Sequence, residues 1–373
     1  MKYVQINTVP HSSTGSIMLK KHEELLREGV DSYVFWGRGR PANNEREYNF
    51  GSNIETYLDA ALTRVDGRAG FHSKPATRRL LKRLDEIDPD VVHLHNLHGY
   101  YLNVEMLFHW LLKRTCKVVW TLHDCWSFTG HCAYFTYAGC EAWKSEQGCT
   151  ATCPQLSTYP ATISKTSVAR NYQEKQRLFT SIPVDSLSFV APCDWMRKLV
   201  GESFLAKYPI ATERNTINTA VFKPTNESWR SRLKLEGKTV VLGVASPWTE
   251  RKGLVDFVRL AKDLGEEFAI LLVGVSNRQA RELPKEIVAL EHTSSQEELA
   301  QLYTTADVFF NPTREDNYPS VLLEAQACGT PVVTYDVGGC AEAVDQGGNG
   351  SVVGCYEEAL ELILAMGVSS EES

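Results

Sequence analysis

Asp316 and Glu324 bracket the stretch DNYPSVLLE, two carboxylates separated by mostly apolar residues and one proline. Proline is tolerated in the first turn of a helix, where its missing N–H has no partner in any case, so Pro319 marks a helix start. Gly329 and Pro331 mark its stop. Asp316 then lies in the loop ahead of open backbone N–H groups at the positive end of the helix dipole, with Glu324 about two turns along the same helix. Such a place can hold an anion. Glu324, hemmed in by Val321, Leu322, Leu323 and Ala325, has two oxygens that can accept from neighbouring sugar hydroxyls. In SPWTERKGL, Arg251 and Lys252 precede a helix at the end of a strand, where a lysine beside a helix N-terminus suits phosphate oxygens.

His123 directly follows the run KVVWTL, at the ligand-side end of a strand, with Asp124 beside it to hold its tautomer. His93 and His95 of VHLHN are expected to point to opposite faces of their strand, so that at most one serves a site. Gly15, in SSTGS after the first strand, permits close backbone approach, and the helix that follows offers its N–H groups. No GxGxxG fingerprint occurs in the chain, which counts against a nicotinamide dehydrogenase. Cys132, Cys140, Cys149 and Cys153 crowd into GHCAYFTYAGCEAWKSEQGCTATCP. Four thiolates could close a tetrahedral structural zinc site, although no CxxC pair is present, and free buried thiols or disulfides are the alternatives. All three readings make these cysteines structural, since metal catalysis needs an open ligand position.

These residues need elements to carry them. YVQI, a small-residue loop, a helix to Arg27 and the strand DSYVFW form a βαβ opening. DVVHL and KVVWTL are near-continuous apolar runs, as expected of parallel strands covered on both faces. Beyond about residue 220 the pattern restarts with TVVLGVAS, a helix containing Leu254, Phe257, Val258, Ala261 and Leu264, then FAILLVG, QEELAQLYTTA and DVFFN. The fold class is α/β, with two doubly wound Rossmann-like domains over residues 1–215 and 216–373. FKPTNESW reads as a polar linker, and residues 125–154 as a cysteine-rich insertion in the first domain. Ligands in such sheets gather at the carboxyl ends of the strands, and two such sets of ends can face each other across a cleft.

The 373 residues, 43% hydrophobic and 23% charged, suit a soluble protein of two cores. A net charge of -7 argues against nucleic-acid partners, which need a basic face. No run is long and apolar enough to span a membrane, and MKYVQINTVP lacks a signal-peptide core, so a cytoplasmic protein with mostly reduced thiols is expected. TRRLLKRL is a basic amphipathic helix that could dock on anionic lipid, or a solvated helix with its leucines in the core.

Along nearly its whole length the chain resembles the retaining GT-B glycosyltransferases of family 4 (group 1), especially those of capsular and exopolysaccharide clusters. DNYPSVLLEAQACGTPVV is similar to that family's acid, seven residues, Glu segment and its A-x-G-x-P-V-V run, with Asp316 where glutamate is usual. The resemblance implies that Asp316 and the backbone of Asn317 and Tyr318 lie at the donor sugar and diphosphate, and that Glu324 binds the ribose. It also implies that Lys252 meets the diphosphate, Gly15 belongs to the glycine-rich loop of the first domain and His123 is the active-site histidine of T-x-H-D. Where the family carries a further arginine this chain has Ser246 and Pro247, which leaves either Arg251 to substitute or the site with one cation fewer, and Asn215 in RNTINTAVFKP resembles an N-G-x-D segment with Thr216 and Asn218 altered. The expected activity is retaining transfer of a sugar from a nucleotide-diphosphate donor to a glycan or lipid-linked glycan acceptor. No catalytic cofactor is implied, and contact with the inner membrane face is expected to be peripheral. A nucleotide-sugar epimerase or phosphorylase of the same fold, or a non-catalytic sugar-nucleotide-binding partner, are the alternatives.

Overall fold

The computed structural model describes residues 1–42 and 44–368, and the chain divides into a unit Met1–Arg214 and a second beginning at Asn215. The first unit holds β1 (Lys2–Asn7), β2 (Asp31–Trp36), β3 (Glu47–Asn49), β4 (Val91–Leu94), β5 (Lys117–Thr121), β6 (Leu187–Ala191) and β7 (Ile210–Thr212). They pair in parallel in the order β3-β2-β1-β4-β5-β6-β7. The second unit holds β8 (Thr239–Val244), β9 (Phe268–Val273), β10 (Ile287–Leu290), β11 (Val308–Asn311), β12 (Val332–Tyr335) and β13 (Gly350–Val353), parallel in the order β10-β9-β8-β11-β12-β13. Each sheet reverses its winding once, between β1 and β4 and between β8 and β11. Those are the points where strand-end loops diverge and leave room for a ligand.

The apolar runs became buried strands because helices cover both faces: all six residues of β9 are buried. Residues 222–229 do not form a free linker. Phe222 and Trp229 are buried, and the Trp229 N–H donates to Thr305 Oγ1 in the helix Gln296–Thr305, so two aromatic anchors fasten the segment to the second unit. In the basic helix Lys74–Ile87, Leu80 and Leu84 are buried while Lys74, Arg78 and Lys82 are exposed. The cysteine-rich insertion is irregular but has a small core of its own. Trp143 packs at tilted angles against Phe128 and Phe135, 5.1 Å and 5.0 Å away, ring centre to ring centre.

Candidate active site

In the second unit the loops after β8 and β11, either side of the reversal, are tied together. The Arg314 N–H donates to the Arg251 carbonyl at 2.7 Å, and the Arg251 guanidinium donates back to the Glu315 carbonyl at 2.5 Å. Lys252 Nζ meets Asp316 Oδ2 at 2.5 Å, with both side chains partly open to solvent. Asp316 Oδ1 accepts from the Asn317 N–H at 2.9 Å. The Asp316 backbone is wedged against Gly338, whose φ is +58° and where a Cβ would lie 1.7 Å from the Asp316 carbonyl oxygen, so only glycine fits. Arg314 is held out of this cluster: it pairs with buried Asp256 at 2.7 Å, which also accepts from Tyr335.

The helix foreseen from Pro319 runs Ser320–Ala327, with Pro319 at its N-cap and Gly329 beyond its end at a φ of +86°. Glu324 accepts from Tyr303 Oη at 3.1 Å. Burial raises its pKa against the opposing hydrogen bonds from Ser320 and Tyr303. Asn317 and Tyr318 are buried, and the Tyr318 hydroxyl donates to Gln346 on the helix Cys340–Gly347. The cluster thus offers Lys252 with a carboxylate that holds it, Arg251 bound to the Glu315 carbonyl, and a helix start with a second carboxylate further along. These are the parts a diphosphate ester of a polyol needs.

The first unit corrects three expectations. His93 in β4 and His95, one residue past its end, lie on the same face, as residues two apart in extended chain must, and their rings stack 4.3 Å apart. Asp124 pairs with His98 Nε2 at 2.6 Å, whereas His123 Nε2 lies 3.0 Å from His95 Nδ1. His98 beside it lowers the Asp124 pKa although burial opposes this, and burial lowers His123 to about 4. Gly15 sits inside the helix Ser12–Arg27 rather than in the loop ahead of it. The backbone that approaches it is the chain's own, since a Cβ there would lie 2.5 Å from the Pro10 carbonyl carbon.

Sequence reasoning missed buried Glu315, the Tyr303 partner of Glu324, and His98. The acid pair Glu315–Asp316 and the third histidine of VHLHNLH were visible signals. Nothing local pointed to Tyr303, which comes from another helix.

Cys132, Cys140, Cys149 and Cys153 line one cavity of about 220 Å³ beside His131 and Trp143. A hydrogen bond from Cys132 lowers Cys153 to about 7, and burial raises Cys149 to about 11. Burial, with Lys175 nearby, lowers His131 to about 4 against hydrogen bonds with the backbone of Gln155 and Thr158. Four soft sulfurs around one cavity suit zinc in kind, yet among the described residues no three His, Cys, Asp or Glu groups stand as a metal site.

Two families match the chain: Glycosyltransferase Family 4 over residues 18–147 and Glycosyl transferases group 1 over residues 225–367. The putative colanic acid biosynthesis glycosyl transferase WcaC of Escherichia coli (strain K12) is 26% identical, over 97% of this chain and 89% of that protein. The D-inositol 3-phosphate glycosyltransferase of Corynebacterium diphtheriae is 24% identical, over 97% and 85%. Among solved structures, sucrose-phosphate synthase from Thermosynechococcus elongatus aligns with a TM-score of 0.72 at 14% identity, over 98% of this chain and 90% of that one. HepE of Anabaena in complex with UDP-glucose aligns at 0.64 and 14%, over 98% and 89%. The fold is GT-B.

Proposed function

Because this chain belongs to the group 1, family 4 glycosyltransferases, we propose that it moves a sugar, with retained anomeric configuration, from a nucleoside diphosphate sugar to a lipid-linked glycan. The Lys252–Asp316 pair ahead of the helix bearing Glu324 carries this reading. Charge grows on the diphosphate as the glycosidic bond breaks, and Lys252 with the backbone N–H groups of the Ser320–Ala327 helix start meets it. Glu324 accepts from the ribose hydroxyls. The acceptor hydroxyl enters from the face the phosphate leaves, and that phosphate takes its proton. His123, as the T-x-H-D resemblance implies, orients the transferred sugar. That HepE of Anabaena, a structure of the same fold, is found in complex with UDP-glucose and with UDP supports the donor class, and the likeness to a colanic acid enzyme supports a polysaccharide acceptor.

The test is nucleotide release from UDP-, GDP- and ADP-sugars, with a lipid-extract acceptor and with water alone, for wild type and Glu324→Ala. Acceptor-dependent release of one nucleotide, lost in the variant, is expected, with product NMR showing retention. Inversion would sink the front-face step. Turnover without acceptor would indicate an epimerase, and binding without turnover a partner protein.

For the acceptor's membrane, the helix Asn53–Asp66 supplies a surface. Ile54, Tyr57, Leu58, Leu62 and Val65 form one face at helical spacing and are 50–75% exposed. The neighbouring helix adds exposed Lys74, Arg78 and Lys82, whose charge complements anionic headgroups at roughly 1 kcal/mol each. No helix among the described residues is long and apolar enough to cross a membrane. Vesicles containing phosphatidylglycerol should sediment the protein and purely zwitterionic ones should not, and Leu58→Glu/Leu62→Glu should abolish the difference.

The cysteine cavity is proposed to bind one structural zinc through Cys132, Cys140, Cys149 and Cys153, which requires the four sulfurs to draw closer together than they stand. Metal analysis of the purified chain should find one zinc, released when the thiols are titrated with a mercurial. Four freely titrating thiols without metal would overturn this.

A further inference from the structure

We propose that Gln5 is a positioning residue which, through His95, holds His123 as the tautomer that carries its proton on Nε2 and uses Nδ1 as the acceptor. The chain of hydrogen bonds leaves one consistent assignment. Gln5, fully buried on β1, donates its amide N–H to the Met18 carbonyl at 3.1 Å, and a carbonyl can only accept. Its amide oxygen is therefore what faces His95 Nε2, at 3.2 Å, and an amide oxygen also only accepts. His95 thus has its proton on Nε2.

Burial holds His95 far below the ordinary histidine range, so it is neutral and its Nδ1 bears a lone pair. His123 Nε2 lies 3.0 Å from that Nδ1, and it must be the donor. Neutral His123 then has its lone pair on Nδ1. The opposite tautomer would set two lone pairs against each other in a buried site. The stack of His93, His95 and His123 fixes the ring planes, with His95 and His123 5.3 Å apart at 13°. The other titratable groups near His123 are Asp124 and His98, which are paired with each other. His93 spends its nitrogens on Tyr3 and Thr121, so neither competes for His95.

On the reading of the preceding subsection, which this point extends, the ligand hydroxyl that meets His123 donates to it.

The test is long-range proton–nitrogen-15 correlation on the full chain with labelled histidine, His123 being assigned from the signals missing in His123→Gln. Wild type should show His123 Nε2 at a protonated-type nitrogen shift and Nδ1 at a lone-pair-type shift. Gln5→Met keeps the side-chain length but removes the acceptor, and should bring both nitrogens to averaged, intermediate shifts in His95 and His123. A wild-type His123 protonated on Nδ1, or an unchanged His123 pattern in folded Gln5→Met, would overturn the proposal. The wild-type spectrum decides the assignment even if the variant does not fold. The measurement uses no sugar donor, so its failure is distinguishable from failure of the transferase reading.

Discussion

Lys252→Ala should slow sugar transfer by about 10²- to 10³-fold, the loss that follows removal of one preorganised group facing developing negative charge. Two terms combine. The cation that meets the leaving diphosphate is gone, and Asp316, which Lys252 contacts at 2.5 Å, is left as an uncompensated carboxylate facing an anion. The second term is separable. Lys252→Ala/Asp316→Asn should bind the nucleoside diphosphate more tightly than Lys252→Ala alone while remaining slow, because only the repulsion has been removed. Titration calorimetry with the nucleotide product, beside single-turnover transfer, reads the two terms apart. A Lys252→Ala enzyme with wild-type turnover would remove the pair from the mechanism. Lysine is partly exposed here, so the fold should survive.

The first unit should lose stability steeply as pH falls from 6.5 towards 4. Burial lowers His93 to about 3, and His123 and His131 to about 4, from an ordinary value of 6.5. In that window the unfolded chain binds protons that the folded one refuses, so stability is lost as pH falls from the unfolded value of 6.5 to the folded values, where the folded histidines also protonate and the loss levels off. Each histidine costs up to about 2 kcal/mol by pH 5, at about 1.4 kcal/mol per pH unit. Asp59, whose carboxyl burial raises, offsets part of this. In the second unit Glu324, also raised by burial, acts in the opposite direction. Urea midpoints followed by tryptophan fluorescence at pH 7, 6 and 5 should fall accordingly. His131→Leu, which removes a buried imidazole, should flatten the slope by about one proton. An unchanged slope in that variant would exclude His131 from the effect.

Much of the fold was legible because its causes are local. Strands covered on both faces must be continuous apolar runs, and KVVWT and FAILLV became β5 and β9 within a residue or so of their sequence limits. Proline and glycine punctuate helices through their own backbone geometry, so the helix Ser320–Ala327 could be placed between Pro319 and Gly329 before any packing was known. The same stretch located the acid–helix–acid segment of the candidate site. FKPTNESW misled because polar composition hid its two ends, Phe222 and Trp229, which are buried on a helix more than 60 positions away.

Pairings were another matter. His123 has an acid as its chain neighbour, yet tertiary structure gives that acid to His98 and gives His123 to His95. Lys252 finds Asp316, and His95 finds Gln5, only because sheet order sets β8 beside β11 and β1 beside β4. Residue types, spacing and backbone punctuation therefore determined which elements form and which carry chemistry. Which side chain meets which was decided by the order of strands in each sheet, because a hydrogen bond reaches about 3 Å in space whatever its distance along the chain.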